Sequence, residues 1–346
     1  MADLSLPKRL LHWYAIFVAA SVVVLICSGG LVTSHGAGMA VPDWPNSFGY
    51  NMFLFPLSRW VGGVLFEHTH RLIASLVGLL TIGLWVLTLV VEKRRWVKWL
   101  AGFAVLAVVL QGILGGLRVT EHNAILGLFH GCLAQGFFCL VATIALVTSR
   151  FWRHIEPAAD AHAIETLRFW TVAVTGMLIV QLALGASMRH SHTGLSIPDF
   201  PAVYGGLLPP LDAASVARIN ETRVGTQAAP PITAGLILLQ YVHRGWAVLI
   251  VVGLISVATG ILRSGQLPGP VPLAAKVWIA LVVIQFALGA WTIWSNKAAD
   301  VATSHVFVGA LTLMIGVLLS VILSAMLCST RLRNAPTNLR EEVARA

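Results

Sequence analysis

Four histidines occupy matched places in the two halves of the chain: His70, His130, His243 and His305. Each follows the start of a long apolar segment by one or two helical turns, so all four should lie at similar depth, two in each half. Imidazoles that face each other across a helical bundle are the usual axial pair of a haem iron. Zinc normally needs a third or fourth ligand, and the second half has no further carboxylate at this depth. The spacing therefore predicts one bis-histidine haem in each half.

Charged residues next to these histidines could add chemistry. Glu67 precedes His70 by one helical turn, whereas Gln240 holds that place in the second half. Because the repeat replaces the carboxylate by its neutral isostere, we predict that Glu67 handles protons or steadies positive charge in a reaction. The alternative is an acid favoured by the helix dipole, worth about 0.3–1 kcal/mol. Arg71 and Arg244 follow two of the histidines, and either snorkelling toward headgroups or pairing with haem propionates explains them.

The elements that must position these residues are membrane-spanning helices. The chain has 346 residues, of which 57% are hydrophobic and 11% charged, and its mean hydropathy is +0.83. A soluble protein of this length needs more surface charge. Eight apolar runs approach the roughly 20 residues that cross a bilayer, and they lie near 12–34, 67–91, 97–117, 124–148, 168–188, 236–262, 271–294 and 303–328. The sequence predicts an all-α polytopic membrane protein with eight transmembrane helices.

Basic residues predict how the chain is oriented. The net charge is +9, but the Lys and Arg residues cluster in alternate connections, which explains the charge without a nucleic-acid partner. By the positive-inside rule these connections face the cytoplasm. We expect a protein of the cell membrane with both termini cytoplasmic and the long loops near 35–66 and 189–235 outside.

The chain also repeats itself. The stretch GGLVTSHGAGMAVPDWPNSFG (29–49) resembles GASMRHSHTGLSIPDFPAVYG (185–205), and QGILGG (111–116) resembles QFALGA (285–290). We predict two tandem pseudo-symmetric four-helix bundles, 1–150 and 168–330, with a cytoplasmic connection at 151–167 and a cytoplasmic tail at 331–346. The PDWP and PDFP turns either form a lid over each bundle or act as rigid connections. No structure is predicted for 207–235.

The remaining histidines and the cysteines carry weaker signals. We interpret five histidines as loop or interface residues: His35, His68, His122, His190 and His192. Three more lie near the cytoplasmic boundary and are interpreted as surface groups: His12, His154 and His162. The four cysteines all fall in apolar runs and are interpreted as packing residues.

In combination, these motifs resemble the haem A synthase family. The resemblance covers residues 10–328 and rests on E-x-x-H-R at Glu67–Arg71, the histidine of the fourth span, H-R in the sixth, the histidine of the eighth, and the loops GAGMAVPDWP and HTGLSIPDFP. It implies an oxidoreductase that converts a methyl group of haem O to a formyl group, giving haem A for cytochrome c oxidase. Some family members carry a cysteine pair in the outer loops, and this chain has none at 35–66 or 189–235.

The resemblance also assigns residues and partners. It implies a haem b cofactor held by His243, His305 and Arg244, and a substrate haem O held by His70, His130 and Arg71, with Glu67 as the important carboxylate. Haem O synthase, cytochrome c oxidase assembly factors and a second copy of the chain are candidate partners. Two alternatives stay open: a diheme electron-transfer protein of the cytochrome b561 type, and a transporter.

Overall fold

A computed structural model of the chain describes residues 5–191, 193–222, 231–265 and 267–334. Within these ranges the chain is helical and contains no strand. The helices are α1 (Leu6–Ser34), α2 (Gly62–Val91), α3 (Arg95–Thr120), α4 (Ala124–Thr148), α5 (Arg150–Arg153), α6 (Ala161–His190), α7 (Ala213–Thr222), α8 (Ala234–Arg263), α9 (Pro270–Trp294) and α10 (Ala299–Asn334). All except α5 and α7 are long and apolar enough to cross a membrane, which confirms the eight predicted spans.

Several helices begin earlier than the hydropathy predicted. The first begins at Leu6, because Pro7 is tolerated in the first helical turn, where its missing N–H costs nothing. The fifth span begins at Ala161, inside the predicted connection, because the Asp160 side chain accepts hydrogen bonds from the N–H groups of His162 and Ala163. Hydropathy locates the apolar stretch, whereas capping decides where the helix begins.

The spans contact one another in two rings. Within the first ring α1, α2, α3 and α4 contact in succession and α4 returns to α1; within the second, α6, α8, α9 and α10 do the same. Separate clusters of buried side chains fill the rings, with Leu84 and Phe138 in the first and Leu254 and Trp278 in the second. Contacts of α10 with α1 and α4, and of α4 with α6, join them. The division into two pseudo-symmetric domains stays a prediction.

The second outer loop contains a helix that the sequence did not predict. Helix α7 lies within 207–235, where residues 223–230 fall outside the described ranges. Asn220 fastens its end, because the side-chain amide donates to the carbonyl of Ile232 at 2.9 Å and accepts from its N–H at 2.8 Å. Val216 and Ile219 pack against a small cluster around Ile197. Helix α7 therefore packs against the earlier part of the same loop.

Candidate functional site

Each of the four matched histidines packs an imidazole edge against a glycine of the preceding span. Every one of these glycines lies five residues before the end of its helix, on α1, α3, α6 and α9. A Cβ built on the glycine would approach the imidazole Cε1 closely: Gly29 to His70 at 2.9 Å, Gly115 to His130 at 3.2 Å, Gly185 to His243 at 3.2 Å and Gly289 to His305 at 3.3 Å. A Cβ at Gly29 would force the imidazole to move, and one at the other three glycines would crowd it, so glycine lets all four imidazoles lie close to the neighbouring helix at a similar depth.

Three of the histidines also meet a glutamine one turn before that glycine. The side-chain amide of Gln111 donates to the backbone carbonyl of His130 at 3.0 Å, and the backbone carbonyl of Gln111 accepts from the imidazole Nδ1 at 3.1 Å. Because a carbonyl can only accept, Nδ1 carries the proton and Nε2 keeps its lone pair for a metal. Gln181 donates to the carbonyl of His243 at 3.1 Å.

His305 also contacts a glutamine, whereas His70 contacts a serine. The Gln285 amide nitrogen lies 3.4 Å from Nε2 of His305. The first span has Leu25 at the corresponding place, and the Ser28 hydroxyl lies 2.8 Å from Nδ1 of His70 instead. Sequence reasoning aligned 111–116 with 285–290 and missed the same Q-x-x-x-G pattern at 181–185. That triple repeat was the available signal for these glutamines.

The histidines form two pairs and no larger ligand group. His70 interacts electrostatically with His130, and His243 with His305. No group of three or more His, Cys, Asp or Glu that could hold a metal ion occurs within the part of the chain described. In the second ring, Nδ1 of both histidines is buried without a hydrogen-bond partner. Two imidazoles without a third protein ligand suit haem better than zinc.

Glu67 and Arg71 fasten the first outer loop to the start of α2. Glu67 is 4% exposed; its Oε2 accepts from the N–H of Val41 at 2.9 Å and its Oε1 from Arg71 at 2.8 Å. The Arg71 guanidinium also donates to the carbonyls of Val41, Asp43 and Asn46 at 2.7–2.9 Å. Its side chain is 9% exposed and therefore does not snorkel toward the headgroups. These contacts favour a loop-holding role for the pair.

Among the described residues, the second half fastens its loop with no ion pair. The Gln240 side-chain oxygen accepts from the N–H of Ile197 at 2.7 Å, and its amide donates to the carbonyls of Gly194 and Ile197. Arg244 donates to the carbonyls of Ile197 and Ala202, both at 3.1 Å. The residues at 67 and 240 thus share one structural task, and only the first half performs it with a charge.

An aspartate hydrogen-bonds the turn at the tip of each loop. Asp43 accepts hydrogen bonds from the N–H groups of Phe48 and Gly49 at 2.7 and 2.8 Å. Burial raises the pKa of Asp43, but these N–H groups and the nearby Arg71 outweigh it and hold the pKa below its ordinary value. Asp199 makes the matching bonds in the second loop. The loops are fastened at tip and base, which favours a rigid connection over a mobile lid.

Trp44 packs the first loop onto α3. Its indole packs against Gly116, the neighbour of the glycine that contacts His130. The second half has the smaller Phe200 in the loop and Ala290 on the helix. Because a Cβ at position 116 would overlap the indole, the larger ring and the glycine go together. The first loop is therefore held against α3 by a larger aromatic side chain than the second loop has at this place.

Two other histidines have defined partners in the structure. Of the two settings predicted for His68, loop or interface, the structure shows the interface: it lies in α2, fully buried against the first loop, with Nδ1 3.1 Å from the Ser47 hydroxyl and its ring between Phe55 and Trp60. His12 is not a plain surface group, because its Nδ1 contacts a carbonyl of α4 at 3.0 Å.

The other histidine predictions were nearer to the structure. His122 lies in an exposed turn, as predicted, and His190 ends α6 between the two rings. His35 caps the end of α1 and stacks on Phe66. The prediction for His192 falls outside the described residues.

Fold and site together define a polytopic helical membrane protein with two pairs of histidines toward one end of its spans. The family model COX15-CtaA, described as cytochrome oxidase assembly protein, matches residues 12–317. The chain belongs to this family, which confirms the resemblance to haem A synthases.

Several curated relatives carry the name heme A synthase. The protein of Geobacillus kaustophilus is 23% identical over 350 residues, which cover 97% of each chain. That of Halalkalibacterium halodurans is 26% identical over 243 residues, covering 68% of this chain and 78% of the relative. That of Lysinibacillus sphaericus is 28% identical over 204 residues, covering 57% of this chain and 64% of the relative.

Proposed function

We propose that this protein is a haem A synthase, which oxidises a methyl group of haem O to a formyl group and so produces haem A for cytochrome c oxidase. The observation that carries the proposal is the set of four histidines, each seated on a glycine at the same helical depth, two in each ring. Membership of the family and the name of the relatives support it.

The second ring suits a permanently held haem b. His243 and His305 would be its axial ligands, and Gln181 on the neighbouring helix holds the backbone of His243 through its carbonyl. A bound haem b supplies reversible one-electron chemistry, which the oxidation of a methyl group requires. The protein's contribution is to hold both imidazoles at fixed depth.

The first ring suits the substrate. His70 and His130 would hold haem O, and three differences set this ring apart: Ser28 contacts His70 where the other histidines have glutamine, a carboxylate stands at position 67, and Trp44 packs on α3 against Gly116. A ligand restrained by one hydroxyl is less constrained than one held by a glutamine on the neighbouring helix. Such an arrangement fits a group that must enter and leave.

Glu67 would place negative charge one turn from His70 and keep the loop closed over the reacting group. Both of its oxygens are occupied, by Arg71 and the N–H of Val41. Direct proton transfer by Glu67 would require the loop to release it. We therefore assign Glu67 an electrostatic and positioning role in the oxidation.

The test is production of haem A in a host that makes haem O and lacks its own haem A synthase. Chromatography of extracted haems should show haem A with the intact chain and haem O alone with His70→Ala. Purified protein that contains haem yet yields no haem A would favour the diheme electron-transfer alternative. A transporter is disfavoured because each span is one continuous helix, without the broken helices typical of such sites.

We further propose that the protein lies in the cell membrane with its termini in the cytoplasm, as the basic connections predict. Haem O synthase would then supply the substrate, and cytochrome c oxidase assembly factors would receive the product. A second copy of this chain is also a candidate partner.

A further inference from the structure

Two arginines, Arg118 and Arg189, lie close together at the loop end of the first ring. Arg118 is in the last turn of α3, three residues beyond the glycine that contacts His130. Its guanidinium fits against two glycines: a Cβ at Gly38 would lie 2.5 Å from Nη2, and one at Gly127 would lie 3.0 Å from Nε. Arg189, at the end of α6, interacts electrostatically with it. The loop and α4 therefore leave a space shaped for this side chain.

Arg118 has no anionic partner among the described residues. No ion pair joins it to a carboxylate there, and its buried Nε has no hydrogen-bond partner. Glu67 interacts with it electrostatically, but both oxygens of that carboxylate are bound elsewhere. Arg189 donates only to neutral acceptors, the carbonyl of Gly30 and the hydroxyl of Ser34. Arg118 is partly buried, and an unpaired charge withdrawn from water is costly, so an anion is the expected partner.

The position of Arg118 identifies the anion. Its Nε packs against Gly127, one turn before His130 on α4, and Arg118 itself lies one turn beyond Gly115, the glycine that contacts His130. The sequence nominated Arg71 for a haem propionate, yet the Arg71 guanidinium is occupied by the loop carbonyls and by Glu67. The helix dipole favours a cation at the end of α3 but provides no hydrogen-bond partner for Nε.

We propose that Arg118 binds a propionate carboxylate of the tetrapyrrole held by His70 and His130, with Arg189 as a second cation beside it. The inference rests on the proposed function, because it presumes a haem at this site. A guanidinium fork matches a carboxylate in a bidentate arrangement. The propionate edge of the substrate then faces the outer loop, and the ring reaches between the helices.

The experiment compares two ligands that differ only in the carboxylates: ferric protoporphyrin IX and its dimethyl ester. The full-length protein is titrated with each in detergent, and the first site is defined as the Soret change that disappears in His70→Ala. Arg118→Gln should weaken binding of the free acid by about ten- to a hundredfold, the effect of losing a charged hydrogen bond. It should leave binding of the ester unchanged. Arg59→Gln, which removes an exposed outer charge, should change neither.

Two results would overturn the proposal. One is an equal loss of both ligands in Arg118→Gln, which indicates a purely structural side chain. The other is equal affinity of the unaltered protein for acid and ester, a measurement that needs no variant to fold. Failure of the proposed function is distinct: the unaltered protein would show no His70-dependent Soret change, or would bind haem and form no haem A while Arg118 still discriminated acid from ester.

Discussion

Replacing Gly29 by alanine should displace His70 and empty the first haem site. The new Cβ would stand 2.9 Å from the imidazole Cε1, whereas ordinary contact begins at 3.4 Å. The ring must therefore retreat by about half an ångström, and metal–ligand distances tolerate only about 0.2 Å. The hydrogen bond between Ser28 and His70 opposes the movement.

The change should affect the site more than the stability of the protein. Overpacking costs about 1–3 kcal/mol, while replacing glycine by alanine inside a helix returns up to about 1 kcal/mol. The net loss of stability should be about 0–3 kcal/mol. Occupancy of the first site should fall much further, because the iron loses a well-placed ligand.

The assay is the low-spin haem spectrum of purified protein together with haem A production. Gly112→Ala is the matched control: Gly112 is also a glycine inside a span, and a Cβ there meets nothing within 4 Å. The loss of low-spin haem should be largest in Gly29→Ala, smaller in Gly115→Ala and smallest in Gly289→Ala, because the distance from the new Cβ to the imidazole increases in that order. If Gly29→Ala kept the spectrum and the haem A yield of Gly112→Ala, the packing argument would be refuted.

Four further predictions follow from the same contacts. His243→Ala or His305→Ala should remove haem b, and an unchanged low-spin spectrum in either variant would contradict the assignment. Glu67→Gln should keep haem b but lower haem A output at least about tenfold, since it removes the charge that pairs with Arg71; near-normal output would exclude the role. A phosphatase reporter fused after Arg333 should be inactive, and activity in the external compartment would reverse the topology. The pKa of Asp43 is lowered in the folded loop, so its charge stabilises the loop above the unfolded pKa of about 4, and this stabilisation is lost as the pH falls through the folded pKa. Limited proteolysis should therefore cleave the first loop faster below the folded pKa than at neutral pH. In Asp43→Asn the loop should be cleaved equally fast at neutral and at acid pH.

The sequence by itself determined the spans and the candidate ligands. Apolar runs of membrane-spanning length depend only on local composition, so all eight were predictable. The histidines were recognisable because each follows a helix start by a similar interval and because the order of motifs repeats. The contrast between Glu67 and Gln240 was likewise visible without coordinates.

Only the tertiary structure decided what these side chains contact. Arg71 and Arg244 each follow a histidine directly, and from sequence this position suggested pairing with a haem propionate. In the structure both donate to loop carbonyls more than twenty residues away. The bond of His12 to Ala145, and that of Arg189 to Gly30, join different helices.

The sequence did not single out Arg118. Its lack of an ion-pair partner among the described residues depends on the tertiary structure, because the nearby Glu67 is already hydrogen-bonded to Arg71 and Val41. Local patterns fix helices, since their hydrogen bonds are made within a few residues. The partner of a side chain depends on how distant helices pack, and that arrangement is written in no single stretch of the chain.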